Sequence, residues 1–182
     1  MALSILKKFG SLVFETVKVI LVSLAIILPI RYFLIQPFYV EGASMEPSFE
    51  PKEYLIIDEI SYRFVEPVRG QVIVFRYPKD PRQFYIKRVI GLPGEHIKIV
   101  NGSVFINDKE IQEPYLSSLN LSQHSMDEMT LASDQYFVMG DNRANSLDSR
   151  IFGPIKRSDF IGRVWVRGWP FDRISVFSAP SY

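Results

Sequence analysis

The stretch Val19–Ile30, VILVSLAIILPI, carries no charge, and it constrains this 182-residue chain more than any other feature. Forward of it, Arg31–Val40 (RYFLIQPFYV) stays mostly apolar; backward it meets Lys18 and Glu15. A helix needs about 20 largely apolar residues to cross a bilayer. Roughly Val17–Phe33 or a little beyond supplies that length, with Lys18 and Arg31 placed to snorkel toward opposite faces. The run reads as an uncleaved anchor. A cleavable export signal, which would also begin with lysines such as Lys7 and Lys8, and a buried helix of a soluble fold are the other readings of these residues. No small-x-small cleavage site follows the run closely, and the next small residues, Gly42-Ala43-Ser44, belong to a different pattern. Lys7, Lys8 and Lys18 ahead of the span favour an N-terminus on the inside and the rest of the chain outside, a modest bias because Arg31 and Lys52 lie beyond it.

Composition narrows the chemistry. Hydrophobic residues make up 47% of the chain, enough for a packed core after an anchor is set aside. With 21 basic and 20 acidic side chains the net charge is +1, which gives no electrostatic reason to expect nucleic acid as a partner. There is no cysteine, so thiol catalysis, disulfides and thiolate metal sites are excluded. His96 and His124 stand far apart without carboxylate spacing, which leaves too few ligands for a His-based zinc site. No metal and no cofactor are expected.

After Pro37 the texture is β. Tyr54–Ile57, Gln71–Tyr77 and Phe84–Ile90 are short, rich in β-branched and aromatic residues, and bounded by Pro and Gly. His96–Val100 leads through Asn101-Gly102 into Ser103–Ile106, a two-residue hairpin signal. Gln135–Met139 and the alternating Phe160–Arg167 read as further strands. From about Gln112 to Ser133 the sequence turns polar and loses periodicity, as a surface insertion would. The expected fold is mainly β: an antiparallel domain over 37–182 with a small insertion at about 103–135, preceded by one N-terminal transmembrane helix within 1–36.

Three segments of this β region concentrate reactive side chains. Ser44 sits in Gly42-Ala43-Ser44-Met45-Glu46-Pro47, just after the apolar run. A serine is a poor nucleophile unless a base removes its proton, and neither histidine is set up to do so. A lysine can serve if burial keeps it neutral. Lys87 lies in Tyr85-Ile86-Lys87-Arg88-Val89-Ile90, where alternation puts it on the face of Tyr85 and Val89. If that face is the covered one, Lys87 is desolvated and Arg88 faces water; an exposed lysine on an edge strand is the plainer alternative. The third segment, Gly140–Arg150 (GDNRANSLDSR), packs carboxylates, arginines and hydroxyls beside a strand. A solvated loop or a calcium loop are options, but Arg143 and Arg150 among the carboxylates favour ion-paired hydroxyl networks over a cation site.

Taken in order, these segments resemble the bacterial type I signal peptidases, membrane-bound Ser/Lys endopeptidases that remove signal peptides. The resemblance runs from the segment ending Ile30-Arg31-Tyr32-Phe33, through Gly42–Pro47 and Tyr85–Gly94, to Gly140–Arg150. It implies Ser44 as nucleophile, with its backbone N–H in the oxyanion hole, and Lys87 as general base. It implies Ser146 as the hydroxyl orienting the lysine amine, Asp148 and Arg150 as a buttressing ion pair, and Asp141 as part of the same network. The implied partners are preproteins with Ala-x-Ala-like cleavage sites and the lipid bilayer, at a bacterial cytoplasmic membrane. Gly42 stands where some members carry a serine that helps bind the oxyanion, and Ser48 where a threonine is common. Self-cleaving Ser/Lys repressors carry a DNA-binding module where this chain has its apolar run, and the branch with a histidine base differs at Lys87. A non-catalytic, membrane-tethered β module that binds peptides is the remaining alternative.

Overall fold

The computed structural model describes residues 2–33 and 36–179. The chain divides into two units, 1–36 and 37–182. The first contains helix α1 (Ala2–Phe33). From Leu12 to Leu28 its side chains are exposed, including four in succession, Val19, Ile20, Leu21 and Val22. At about 100° per residue these four span most of one turn, with the exposed polar residues Glu15, Thr16, Lys18 and Ser23 on either side of them in the sequence. Among the described residues no helix is long and apolar enough to cross a membrane. Ile35, and the side chains of Lys7, Lys8 and Arg31 used to orient the span, lie outside the described residues.

The second unit is two antiparallel sheets. Its strands, in chain order, are β1 (Gln36–Tyr39), β2 (Tyr54–Asp58), β3 (Val72–Tyr77), β4 (Asp80–Gly91), β5 (His96–Val100), β6 (Ser103–Ile106), β7 (Lys109–Glu110), β8 (Met126–Thr130) and β9 (Gln135–Met139). A single helical turn, α2 (Ser149–Phe152), precedes β10 (Ile155–Lys156), β11 (Phe160–Trp169) and β12 (Ser175–Val176). The large sheet runs β1-β2-β11-β3-β4-β9-β10, with β12 beside β11; the small one runs β7-β6-β5-β8.

Local chemistry sets the turns. Asn101 and Gly102 both have positive φ, 48° and 88°, the geometry a two-residue hairpin needs to match strand twist, and Val100 faces Ser103 across it. Asn107 and Asp108, also at positive φ, turn β6 into β7. Three apolar clusters hold the unit together. Val40, Met45, Phe49, Leu55, Ile57 and Val74 form one, and Ile73, Phe75, Val89, Val138 and Ile155 a second. Ile90, Ile97, Ile99, Val104, Leu131 and Phe137 form the third, which joins the two sheets.

Two expectations need correction. The insertion begins at His96 rather than about 103, because β5 pairs with β6 and β8 and not with the large sheet. The stretch read as a polar surface segment contains a strand, β8, followed by the fully buried Leu131. Met129 faces Ile97 and Met126 faces Ile99 with a register shift between them. That irregularity breaks the period of two on which a strand is recognised.

Candidate active site

Ser44 lies in the link between β1 and β2. Val40 closes the base of this link, donating its N–H to Glu53 O and accepting from Lys52 N, both at 2.9 Å. Met45 and Phe49 are fully buried and pin the link into the first cluster. Gly42, two residues before the serine, has φ 79°, a conformation in which any side chain is strained. The backbone therefore favours glycine where some relatives of the resembled family place a serine.

Lys87 reaches the same point from β4, where it sits opposite Ile73 of β3. Its side chain is buried, with only 4% of the residue exposed. Its Nζ is 2.8 Å from Ser44 Oγ and 2.9 Å from Ile86 O, and 5.4 Å from the centre of the Tyr85 ring. Burial pushes the amine down to about 8, against the partial opposition of the Asp148 and Asp141 carboxylates. A neutral amine at this distance can accept the serine proton.

Arg88, the next residue, is also buried, at 6% exposure, and does not face water. The two faces of β4 are both covered: Tyr85 and Val89 by one cluster, Ile86 and Ile90 by the other two. Arg88 is therefore paired inside. Its Nε and Nη2 donate to Asp141 Oδ1 and Oδ2 at 2.8 and 2.5 Å, its Nη1 to Gly70 O, and its Nη2 to Ser48 Oγ.

The segment Gly140–Arg150 closes over the dyad. Asp148 accepts from Gly140 N at 3.0 Å, caps α2 through Arg150 N, and takes a two-pronged bond from the Arg150 guanidinium at 2.8 and 2.7 Å. Burial alone would raise this carboxyl, but Arg150, Gly140 N–H and the nearby Ser146 hydroxyl together hold it below the usual carboxylate range. Ser146 Oγ is buried, close enough to Asp148 to affect it, yet in no well-formed hydrogen bond, and it does not bond Lys87. Gly140 is an enforced glycine: an added Cβ would sit 2.2 Å from Ser146 Oγ and 2.4 Å from Ser44 O. Asn142 then clamps the serine, donating from N to Ser44 O at 3.0 Å and from Nδ2 to Ala43 O at 3.1 Å.

A groove of about 690 Å³ opens onto Ser44, walled by Phe38–Gly42 on one side and Gln83–Lys87 on the other, with Leu55 and Val74 at its floor and Leu147 at its mouth. Pairing with β9 engages β4 only from Arg88 to Gly91, so among the described residues the part of β4 facing the groove has no strand on that edge. No group of His, Asp and Glu able to hold a metal occurs among the described residues.

A buried lysine amine thus rests on a serine hydroxyl, backed by carboxylate–guanidinium pairs, and sequence comparison shows which family the chain resembles. The family model described as "Signal peptidase, peptidase S26" matches residues 13–169. The chain belongs to this family. As a signal peptidase it is a serine endopeptidase. It is 37% identical over 180 residues to a signal peptidase I of Leptolyngbya laminosa, covering 95% of this chain and 88% of that protein. It is 34% identical over 169 residues to a probable signal peptidase I-2 of Synechocystis sp., covering 90% and 77%. A crystal structure of a signal peptidase I from Enterococcus faecalis shares 33% identity and a TM-score of 0.48, covering 55% of this chain and 97% of that one.

Of the residues singled out from sequence, Ser44, Lys87, Ser146, Asp141, Asp148 and Arg150 all gather at or behind the mouth of the groove. Gly140, Asn142 and Arg88 were not singled out for the site. Arg88 had a signal: Ile86 and Ile90 share its face, and a strand apolar on both faces is buried on both. Asn142 had none, because its partners Ala43 and Ser44 lie far away in the sequence.

Proposed function

We propose that Ser44 is the nucleophile and Lys87 the general base of a peptidase that removes signal peptides from exported preproteins. The observation that carries this is the buried Nζ of Lys87, 2.8 Å from Ser44 Oγ, in an environment that favours the neutral amine. A preprotein segment adds as a strand along the open edge of β4, with small Ala-like side chains entering the groove. Neutral Lys87 takes the Ser44 proton as Oγ attacks the carbonyl. The Ser44 backbone N–H stabilises the oxyanion, a donor of the kind worth roughly 3–4 kcal/mol in the transition state. The Lys87 ammonium gives its proton to the leaving amine, and the Lys87 amine, neutral again, then activates water to hydrolyse the acyl-enzyme.

The supporting residues hold this geometry. Asp148 with Arg150, and Asp141 with Arg88, fix the 140–150 segment. Ser146 is the hydroxyl proposed to orient the amine; its buried Oγ has no hydrogen-bond partner that it would have to give up to do so. The apolar sequence over about Val17–Phe33 continues past Leu28, the last helix residue with a described side chain, and the exposed apolar side chains between Val19 and Leu28 fit lipid. It would anchor the enzyme by a single span, N-terminus inside and the β domain outside, at a bacterial cytoplasmic membrane. Ser44→Ala and Lys87→Ala, assayed on a preprotein in detergent, are each expected to lower cleavage by at least about a thousandfold while remaining folded. Full activity in either variant would contradict the assignment.

A further inference from the structure

The 140–150 segment is gripped from behind by a part of the chain that the reaction does not use. Glu113, between β7 and β8, is almost fully enclosed: its side chain is 7% exposed and that of its partner Arg143 3%. The Arg143 guanidinium forks onto the carboxylate, with Nη1 2.9 Å from Oε2 and Nη2 on Oε1. The hydroxyl of Tyr115 donates to the same Oε1 at 2.6 Å. Each partner then reaches one of two consecutive residues of the site. Arg143 Nε donates to Gly140 O at 3.1 Å. The Tyr115 ring lies 3.8 Å beneath the Arg88 guanidinium carbon, and Arg88 holds Asp141. One carboxylate thus organises two arms, ending on Gly140 and Asp141.

Those two residues have no freedom to drift. Gly140 packs against Ser44 O so closely that not even a methyl group fits between them, and Asn142 donates to that same carbonyl. A displacement of 140–142 is therefore passed straight to the Ser44 peptide. Glu113 and Tyr115 do not line the groove.

We infer that Glu113, with Tyr115, is a positioning residue for the Ser44–Lys87 dyad, acting through Arg143 and Arg88 on the Gly140–Asn142 backbone. This rests on the peptidase reading above. Because the clasp touches no substrate, its loss lowers turnover and spares substrate affinity. Misplacement of reacting groups by a fraction of an ångström to an ångström costs on the order of tenfold to a hundredfold in rate.

The test is steady-state kinetics on a preprotein with the full chain in detergent, comparing wild type, Glu113→Gln and Tyr115→Phe, with thermal unfolding measured alongside. Glu113→Gln should reduce kcat by about tenfold or more with KM within about twofold. Tyr115→Phe, which keeps the ring under Arg88 and removes one hydroxyl, should show a smaller loss of the same kind. Wild-type kcat in Tyr115→Phe and in a folded Glu113→Gln overturns the inference, as does a change confined to KM. If Glu113→Gln does not fold, Tyr115→Phe alone decides. An inactive wild type would instead sink the peptidase reading itself.

Discussion

At the scale of single residues, Lys87 carries an energetic cost that has a measurable sign. Its amine titrates near 8 in the fold against 10.5 for a free lysine side chain. Below pH 8 both folded and unfolded chains carry the proton, and the folded one bears the penalty of a buried ammonium. Between 8 and 10.5 only the unfolded chain binds the proton, so stability rises with pH across that window. The full penalty is roughly 3 kcal/mol. Lys87→Met is therefore expected to unfold several degrees higher than wild type at pH 6, with the gap closing above pH 10. A variant no more stable than wild type at pH 6 would show that burial of the ammonium carries no such cost. Asp148 has the opposite sign: its carboxyl is held low, and the stability it contributes is lost only as pH falls below the ordinary carboxylate range.

At the scale of elements, the site is a meeting of three segments: the β1–β2 link, β4 and the turn after β9. Gly140 is where two of them touch. Gly140→Ala forces its new methyl onto Ser44 O and Ser146. Overpacking of this kind costs about 1–3 kcal/mol, and the shift it forces falls on Ser44, the proposed nucleophile. Cleavage is expected to drop on the order of a hundredfold in a chain that still folds, measured as kcat on a preprotein. Near-wild-type turnover would mean that the contact between these segments tolerates displacement.

The same junction explains what could be read in advance. Strands bounded by Gly and Pro, and the Asn101-Gly102 hairpin, are local signals and were legible, as were the three motifs that placed the chain in its family. Arg88 departs from the expectation because alternation implies a wet face only where its residues are polar, and Ile86 and Ile90 on its own face are not. β8 was hidden by its irregular pairing with β5. Glu113 looked like one more polar residue, since a buried ion pair formed with a residue 30 positions away leaves no local mark.

At the scale of the whole molecule, the chain joins a β unit to a helix that exposes the apolar run Val19–Val22. The anchor proposed above would place that run in lipid. The full chain is therefore expected to remain with membranes through alkaline carbonate extraction, whereas a chain starting at Pro37 should be released. Extraction of the full chain into the supernatant would contradict an anchor.

On the proposed mechanism the proton on Lys87 decides whether the enzyme can act, so the most direct measurement is kcat/KM for preprotein cleavage by the full chain from pH 5 to pH 10. With an amine titrating near 8, the value should fall about a hundredfold between pH 9 and pH 6, approaching tenfold per pH unit on the acid side. A profile that stays flat down to pH 5 would mean that no neutral lysine takes the Ser44 proton.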